Sequence, residues 1–151
     1  MLRYLKLLIL CLIVFTGCDY QPIFKNKKYN FSIEVIERTG EKIINNIISN
    51  RLVIFKDRSK IYDIKLNSKK NRQIISKDSK GDPSKLQISI ECNFTILSDD
   101  KILTSMTIVK KMDYNNNSDK FELKNYENFL IQNLSNSIAD EIINKISNFK
   151  N

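Results

Sequence analysis

The chain has 151 residues, 42% of them hydrophobic, which suits one domain with a core of its own and is too few for two. Lys and Arg number 25 against 17 Asp and Glu, so the net charge of +8 favours an anionic partner: nucleic acid, a phosphorylated glycolipid or a membrane surface. The absence of histidine removes the commonest general base and metal ligand, and three glycines are too few for a Gly-rich phosphate loop.

The first seventeen residues have the layout of an export signal. Arg3 and Lys6 precede "LLILCLIVF", nine uninterrupted apolar residues from Leu7 to Phe15. This run is shorter than the roughly 20 residues that a membrane-crossing helix needs, and it fits the apolar region of a signal peptide. No Ala-x-Ala-like cleavage site follows. Instead "FTGC" (Phe15 to Cys18) looks like a bacterial lipobox, although Phe15 stands where Leu is usual. Residues 1–17 are therefore expected to be removed. Cys18 then becomes the N-terminus and carries covalent diacylglyceryl and N-acyl lipid, and no other cofactor is expected. Cleavage leaves 134 of the 151 residues and lowers the charge from +8 to +6. Export argues against a nucleic-acid partner. Cys11 departs with the signal and Cys18 is blocked, so Cys92 is left without a disulfide partner.

Residues 18–28 read as a lipidated tether with one proline and three lysines, and residues 29–151 as a single domain. The first strand is predicted at Tyr29 to Ile36, where Tyr29, Phe31, Ile33 and Val35 alternate with polar residues. The period changes between Glu37 and Phe55. Ile44, Ile47, Ile48, Leu52 and Phe55 then make one helical stripe, with Thr39 as the expected N-cap, Glu41 in the first turn and a stop at Asp57 to Ser59.

A second strand is predicted at Ile61 to Leu66. The polar stretch Asn67 to Lys85 reads as a functional or mobile loop, or as outer strand extensions. Leu86, Ile88, Ile90, Cys92, Phe94 and Ile96 alternate strictly with polar residues, which makes Cys92 a small core residue. The turn Ser98 to Lys101, read as a four-residue loop, leads into a return strand with Ile102, Thr104, Met106 and Ile108 on one face. Asp113 to Asp119 form a turn cluster in which Ser118 or Asp119 caps the last helix. From Leu123 to Phe149 an apolar stripe runs without Pro or Gly, predicting a helix of about 45 Å that projects or bends over the sheet. The order β-α-β-β-β-α predicts an α+β fold. A parallel strand–helix–strand unit is followed by an antiparallel meander, with two helices packed on one face of a four-stranded mixed sheet.

No catalytic constellation is visible, and no metal site. Asp99 and Asp100 are paired carboxylates, but they lie in a hairpin turn and read as turn formers. The basic residues are the better lead. Lys69, Lys70 and Arg72 cluster after the second strand, and Lys110 and Lys111 end the hairpin. Either group can grip phosphates through charge-assisted hydrogen bonds, or serve as a solvated edge that resists aggregation. Lys110 and Lys111 point to opposite faces of a strand and cannot share one face patch.

A family resemblance rests on the order of several motifs. The lipobox, "CDYQPIF", a strand, "ERTGEKIINNIISNRL", a hairpin, "MDYNNNSDKF" and a final "ADEIINKI" helix resemble the LPS-assembly lipoprotein LptE, closest to its divergent alphaproteobacterial members. The resemblance covers essentially the whole chain. Tyr20 and Pro22 behind the cysteine are its most recognisable piece. It implies a non-enzymatic, lipid-anchored outer-membrane protein facing the periplasm. It further implies an LptD-like β-barrel partner and lipopolysaccharide as the ligand, with Lys69, Lys70, Arg72, Lys110 and Lys111 as candidate contacts. One departure gives an alternative. Asp19, directly after the cysteine, resembles the enteric signal that retains lipoproteins in the inner membrane. An accessory subunit of another lipid-transport or envelope complex, anchored there, is the second reading.

Overall fold

The computed structural model describes residues 31–53 and 60–149. The signal, Cys18, the tether, Phe55 and the helix stop at Asp57 to Ser59 lie outside those residues. The elements are β1 (Phe31–Gly40), α1 (Lys42–Leu52), β2 (Lys60–Lys77), β3 (Pro83–Ser98), β4 (Lys101–Asn115) and α2 (Lys120–Asn148). The sheet order is β1-β2-β3-β4, with β1 and β2 parallel and the other pairs antiparallel. This is the α+β arrangement read from the alternating and helical periods.

One face of the sheet carries the core. Phe31 and Ile33 on β1, Tyr62, Ile64 and Leu66 on β2, and all six alternating residues from Leu86 to Ile96 on β3 are buried. Ile44, Ile48 and Leu52 of α1 and the stripe from Leu123 to Ile146 of α2 close over them. Each such aliphatic side chain contributes about 1.5–3 kcal/mol on burial. The opposite face is open and polar, laced by cross-strand hydrogen bonds such as Gln73 to Gln87 and Gln87 to Asp113. The parity that places Cys92 in the core is the one its neighbours set, and the side chain is fully buried.

Several boundaries differ from the sequence expectation. β1 continues past Ile36 to Gly40, because Glu37 to Gly40 pair in parallel with Lys65 to Ser68 after a bulge. Their side chains are exposed, so no hydrophobic alternation announced them. Thr39 therefore sits in a strand rather than capping α1. The N-cap is Glu41, which makes no side-chain cap bond. The start of α1 is instead fixed by the Asn45 amide donating to the Thr39 carbonyl at 2.7 Å.

The stretch Asn67 to Lys85, for which the sequence allows a loop or outer strand extensions, forms the latter. β2 extends to Lys77 and β3 begins at Pro83, leaving a tight connection organised by the Asp78 carboxylate, which accepts from the Lys80 and Asp82 amides. At the other hairpin the loop is two residues rather than four. Ser98 pairs with Lys101, and Asp99 and Asp100 both have positive φ (51° and 59°), as a twist-matched two-residue turn demands. A register shift at Ile96/Leu97 then pairs Leu97 with Ile102 and moves Ile102 off the core parity, leaving it 69% exposed. β4 runs on to Asn115, so Tyr114 is a strand residue with a buried ring, not part of a turn. Asp119 caps α2 by accepting from the Phe121 and Glu122 amides.

Candidate functional site

The cationic residues singled out in the sequence all lie on β2 and β4, in the half of the sheet away from the Asp99–Asp100 turn. β1 reaches only as far as Ser68, where Gly40 pairs with it. Beyond that point the described residues form three strands. β2 there runs "KKNRQIISK" (Lys69 to Lys77), with four cationic residues and no carboxylate.

Strand alternation sorts the five candidates between faces. Lys70, Arg72 and Lys110 share the parity of Leu66 and Ile108 and lie on the helix-covered face; Lys69 and Lys111 lie on the open one. They do not form one patch. The Arg72 Nε donates to Glu127 Oε1 of α2 at 2.7 Å, and Lys110 pairs with Glu141 of α2 at 2.6 Å. These two cations fasten α2 to the sheet. Lys69, Lys70 and Lys111 are exposed and have no carboxylate within 4 Å among the described residues.

Glu127 also accepts a 2.5 Å hydrogen bond from the Tyr114 hydroxyl. Burial alone raises the pKa of this carboxyl. The hydrogen bonds from Tyr114 and Arg72 more than offset that, so it sits below the usual Glu value. The Tyr114 hydroxyl is pushed up to about 12, chiefly by burial and then by its bond to Glu127. A Tyr–Glu–Arg bridge thus ties β2, α2 and β4 together near the start of α2. Sequence reading missed Glu127 and Tyr114. Glu127 lies four residues after Leu123 and three before Leu130 on the apolar stripe, and a carboxylate in that place was the available signal.

Where β1 leaves the sheet, Gly40, Glu41, Lys42, Ile43, Ser68 and Lys69 line an open recess of about 550 Å³. Gly40 has φ +85°, and a Cβ there would lie 2.0 Å from the Ser68 carbonyl oxygen, so only glycine lets the chain lift away here. At the opposite end Glu34, Asp63, Asp99, Asp100 and Lys60 line a second recess of about 500 Å³, which gives the sheet an acidic end and a basic end. Among the described residues no group of three or more Cys, Asp or Glu is placed to hold a metal ion, and no helix is long and apolar enough to cross a membrane.

No family model matches the sequence, nor does any curated protein. Solved structures do match. Rare lipoprotein B from Shewanella oneidensis superposes with a TM-score of 0.62 at 14% identity, covering 80% of this chain and 95% of that one. The chain has the rare lipoprotein B fold. The minor lipoprotein from Acinetobacter baumannii (TM-score 0.57, 16% identity, 80% and 91% covered) and lipoprotein B from Nitrosomonas europaea (0.54, 13%, 84% and 92%) share it. The match spans more than nine-tenths of each of these three structures.

Proposed function

We propose that this chain is an LptE-like envelope lipoprotein, held in the outer membrane through acylated Cys18 and facing the periplasm. Its role is to partner an LptD β-barrel in the transport of lipopolysaccharide to the cell surface. The observation that carries the reading is a rare lipoprotein B fold directly behind a lipobox, rare lipoprotein B being LptE. The role is one of binding and scaffolding, not catalysis. The anionic glycolipid is met by the exposed ammonium groups of Lys69, Lys70 and Lys111, while Arg72 and Lys110 hold the helix behind them.

Affinity capture of the full-length chain from native membranes tests the reading. A large β-barrel should co-purify from the outer-membrane fraction, and Cys18→Ser should release the chain from membranes. Recovery from the inner membrane without a barrel overturns it. That result is also what the second reading requires, in which Asp19 retains the chain in the inner membrane as an accessory of another lipid-transport complex. For the ligand, replacing Lys69 and Lys70 by Gln should weaken lipopolysaccharide binding and flatten its salt dependence. Unchanged binding moves the contact elsewhere.

A further inference from the structure

β2 is an interior strand for half its length and an edge strand for the other half. β1 covers it to Ser68, then Gly40 turns the chain up into α1. From Lys70 to Lys77, roughly 26 Å of strand, β2 has β3 on one side and no strand among the described residues on the other.

The direction of the free backbone groups follows from the last contact before the gap. The Ser68 carbonyl accepts from the Glu41 amide at 3.0 Å, so Ser68 points its main-chain groups towards the β1 side. The amide and carbonyl of one strand residue point the same way, and the direction alternates along the strand. Lys70, Arg72 and Ile74 therefore present their N–H and C=O groups to the vacant side, whereas Asn71 and Gln73 direct theirs to β3. The pairing with β3 stays in register from Asp63 to Ile74, so this alternation is unbroken over the segment.

We propose that this vacant edge receives an extended, acidic segment of a partner protein, which adds to the sheet as a strand in line with β1. Three observations specify the occupant. The missing hydrogen bonds are main-chain ones, which an extended peptide supplies and a glycolipid does not. The segment offers Lys69 on the open face, opposite Glu91 of β3, and Lys70 on the helix face, within electrostatic reach of Glu127. β2 itself carries four cationic residues and no carboxylate from Lys69 to Lys77, so carboxylates on the incoming strand are favoured. Ile74, 48% exposed, and Ile43, 67% exposed beside the gap, provide apolar contact for alternate side chains. Lysines also keep such an edge from pairing with copies of itself, since like charges would then face each other. This inference rests on the edge geometry, not on the barrel reading. The capture experiment above can fail while this one succeeds, and the reverse.

The test uses the full chain in detergent and a synthetic ten-residue peptide alternating Glu with Val. Amide hydrogen exchange should slow at Lys70, Arg72 and Ile74 when the peptide is added, with Asn71 and Gln73 unchanged. Two N-methylated forms of the peptide, methylated on the odd or on the even residues, should differ, one binding about tenfold or more weaker and the other like the parent. Ile74→Pro, which removes one outward N–H without changing charge, should weaken binding to a similar degree while the sheet persists. No binding overturns the proposal. So does equal binding of both methylated peptides, which would mean charge attraction alone. Protection of the same three amides by lipopolysaccharide vesicles but not by the peptide would assign the edge to the lipid instead.

Discussion

Gly40→Ala is the most informative single substitution, because Gly81 provides a matched control. Both glycines have φ near +85 to +88°, so an alanine at either meets the same intrinsic penalty, about 1 kcal/mol. Their surroundings differ completely. A Cβ at Gly81 meets nothing within 4 Å, whereas one at Gly40 lies 2.0 Å from the Ser68 carbonyl oxygen and 3.0 Å from its carbon. The obstructing atoms are backbone of β2 and cannot rotate away. Relief requires pulling β1 from β2 at the point where the Glu41 amide bonds to the Ser68 carbonyl and the Ser68 hydroxyl donates to the Glu41 carbonyl. Losing both contacts adds about 2 kcal/mol, for a total of about 3 kcal/mol.

Urea unfolding of the two variants beside the parent reads this directly, as a shift in midpoint at unchanged slope. Gly81→Ala should cost about 1 kcal/mol, and Gly40→Ala at least about 2 kcal/mol more, or roughly 10 °C in melting temperature. Equal costs at the two positions would refute the close approach of β1 to β2, and with it the account of why the β2 edge opens where it does.

Three further outcomes follow from the placement of individual side chains. Glu127 is held below its ordinary carboxylate value, so its contribution is full above the unfolded pKa, near 4.5, and is lost as pH falls through the lower folded value. The stability gap between the parent and Glu127→Gln should accordingly shrink on acidification, and a gap that is flat with pH contradicts the Tyr114–Glu127–Arg72 bridge. Cys92 is fully buried and its thiol is pushed up to about 12 by burial, so a maleimide should leave it unmodified in the native protein at neutral pH and label it in urea. The Lys110–Glu141 and Arg51–Asp140 pairs are about a third or more exposed. Lys110→Gln or Arg51→Gln should each cost under about 1 kcal/mol in the same unfolding assay.

What the sequence disclosed follows from where periodicity was strong. β3 is covered by helices along its whole length on one face and is open on the other, so its alternation was complete and its core residues could be named one by one. The long apolar stripe of α2 was legible for the same reason. β1 beyond Ile36 and β2 beyond Leu66 were not, because polar side chains dominate both faces, the adjacent Ile74 and Ile75 point to opposite faces and set no alternation, and pairing is carried mainly by the backbone. A strand stabilised by main-chain bonds leaves no hydrophobic signature, and so the stretch after Leu66 read equally as a loop or as outer strand extensions. The bulge at Ile96/Leu97 was hidden as well, since one extra residue reverses parity without changing composition.

The same backbone fact decides how the cationic residues divide. Read as neighbours in a loop, Lys69, Lys70 and Arg72 form one group, and neutralising all three together is the natural test of anion binding. On a strand they alternate, and Arg72 is already engaged with Glu127 under α2. Removing it lowers stability as well as charge, so a triple variant that loses binding would not separate the two causes. Lys69 and Lys70 are exposed and have no carboxylate within 4 Å among the described residues, so their loss changes the surface charge and breaks no ion pair there, Lys70 acting on Glu127 only at longer range. Lys69→Gln with Lys70→Gln therefore isolates the electrostatic contribution to binding, and Arg72→Gln isolates the fastening of α2. An anion contact at this edge requires the first variant to weaken binding at unchanged stability. A structural role for Arg72 requires the second to lower stability at every salt concentration.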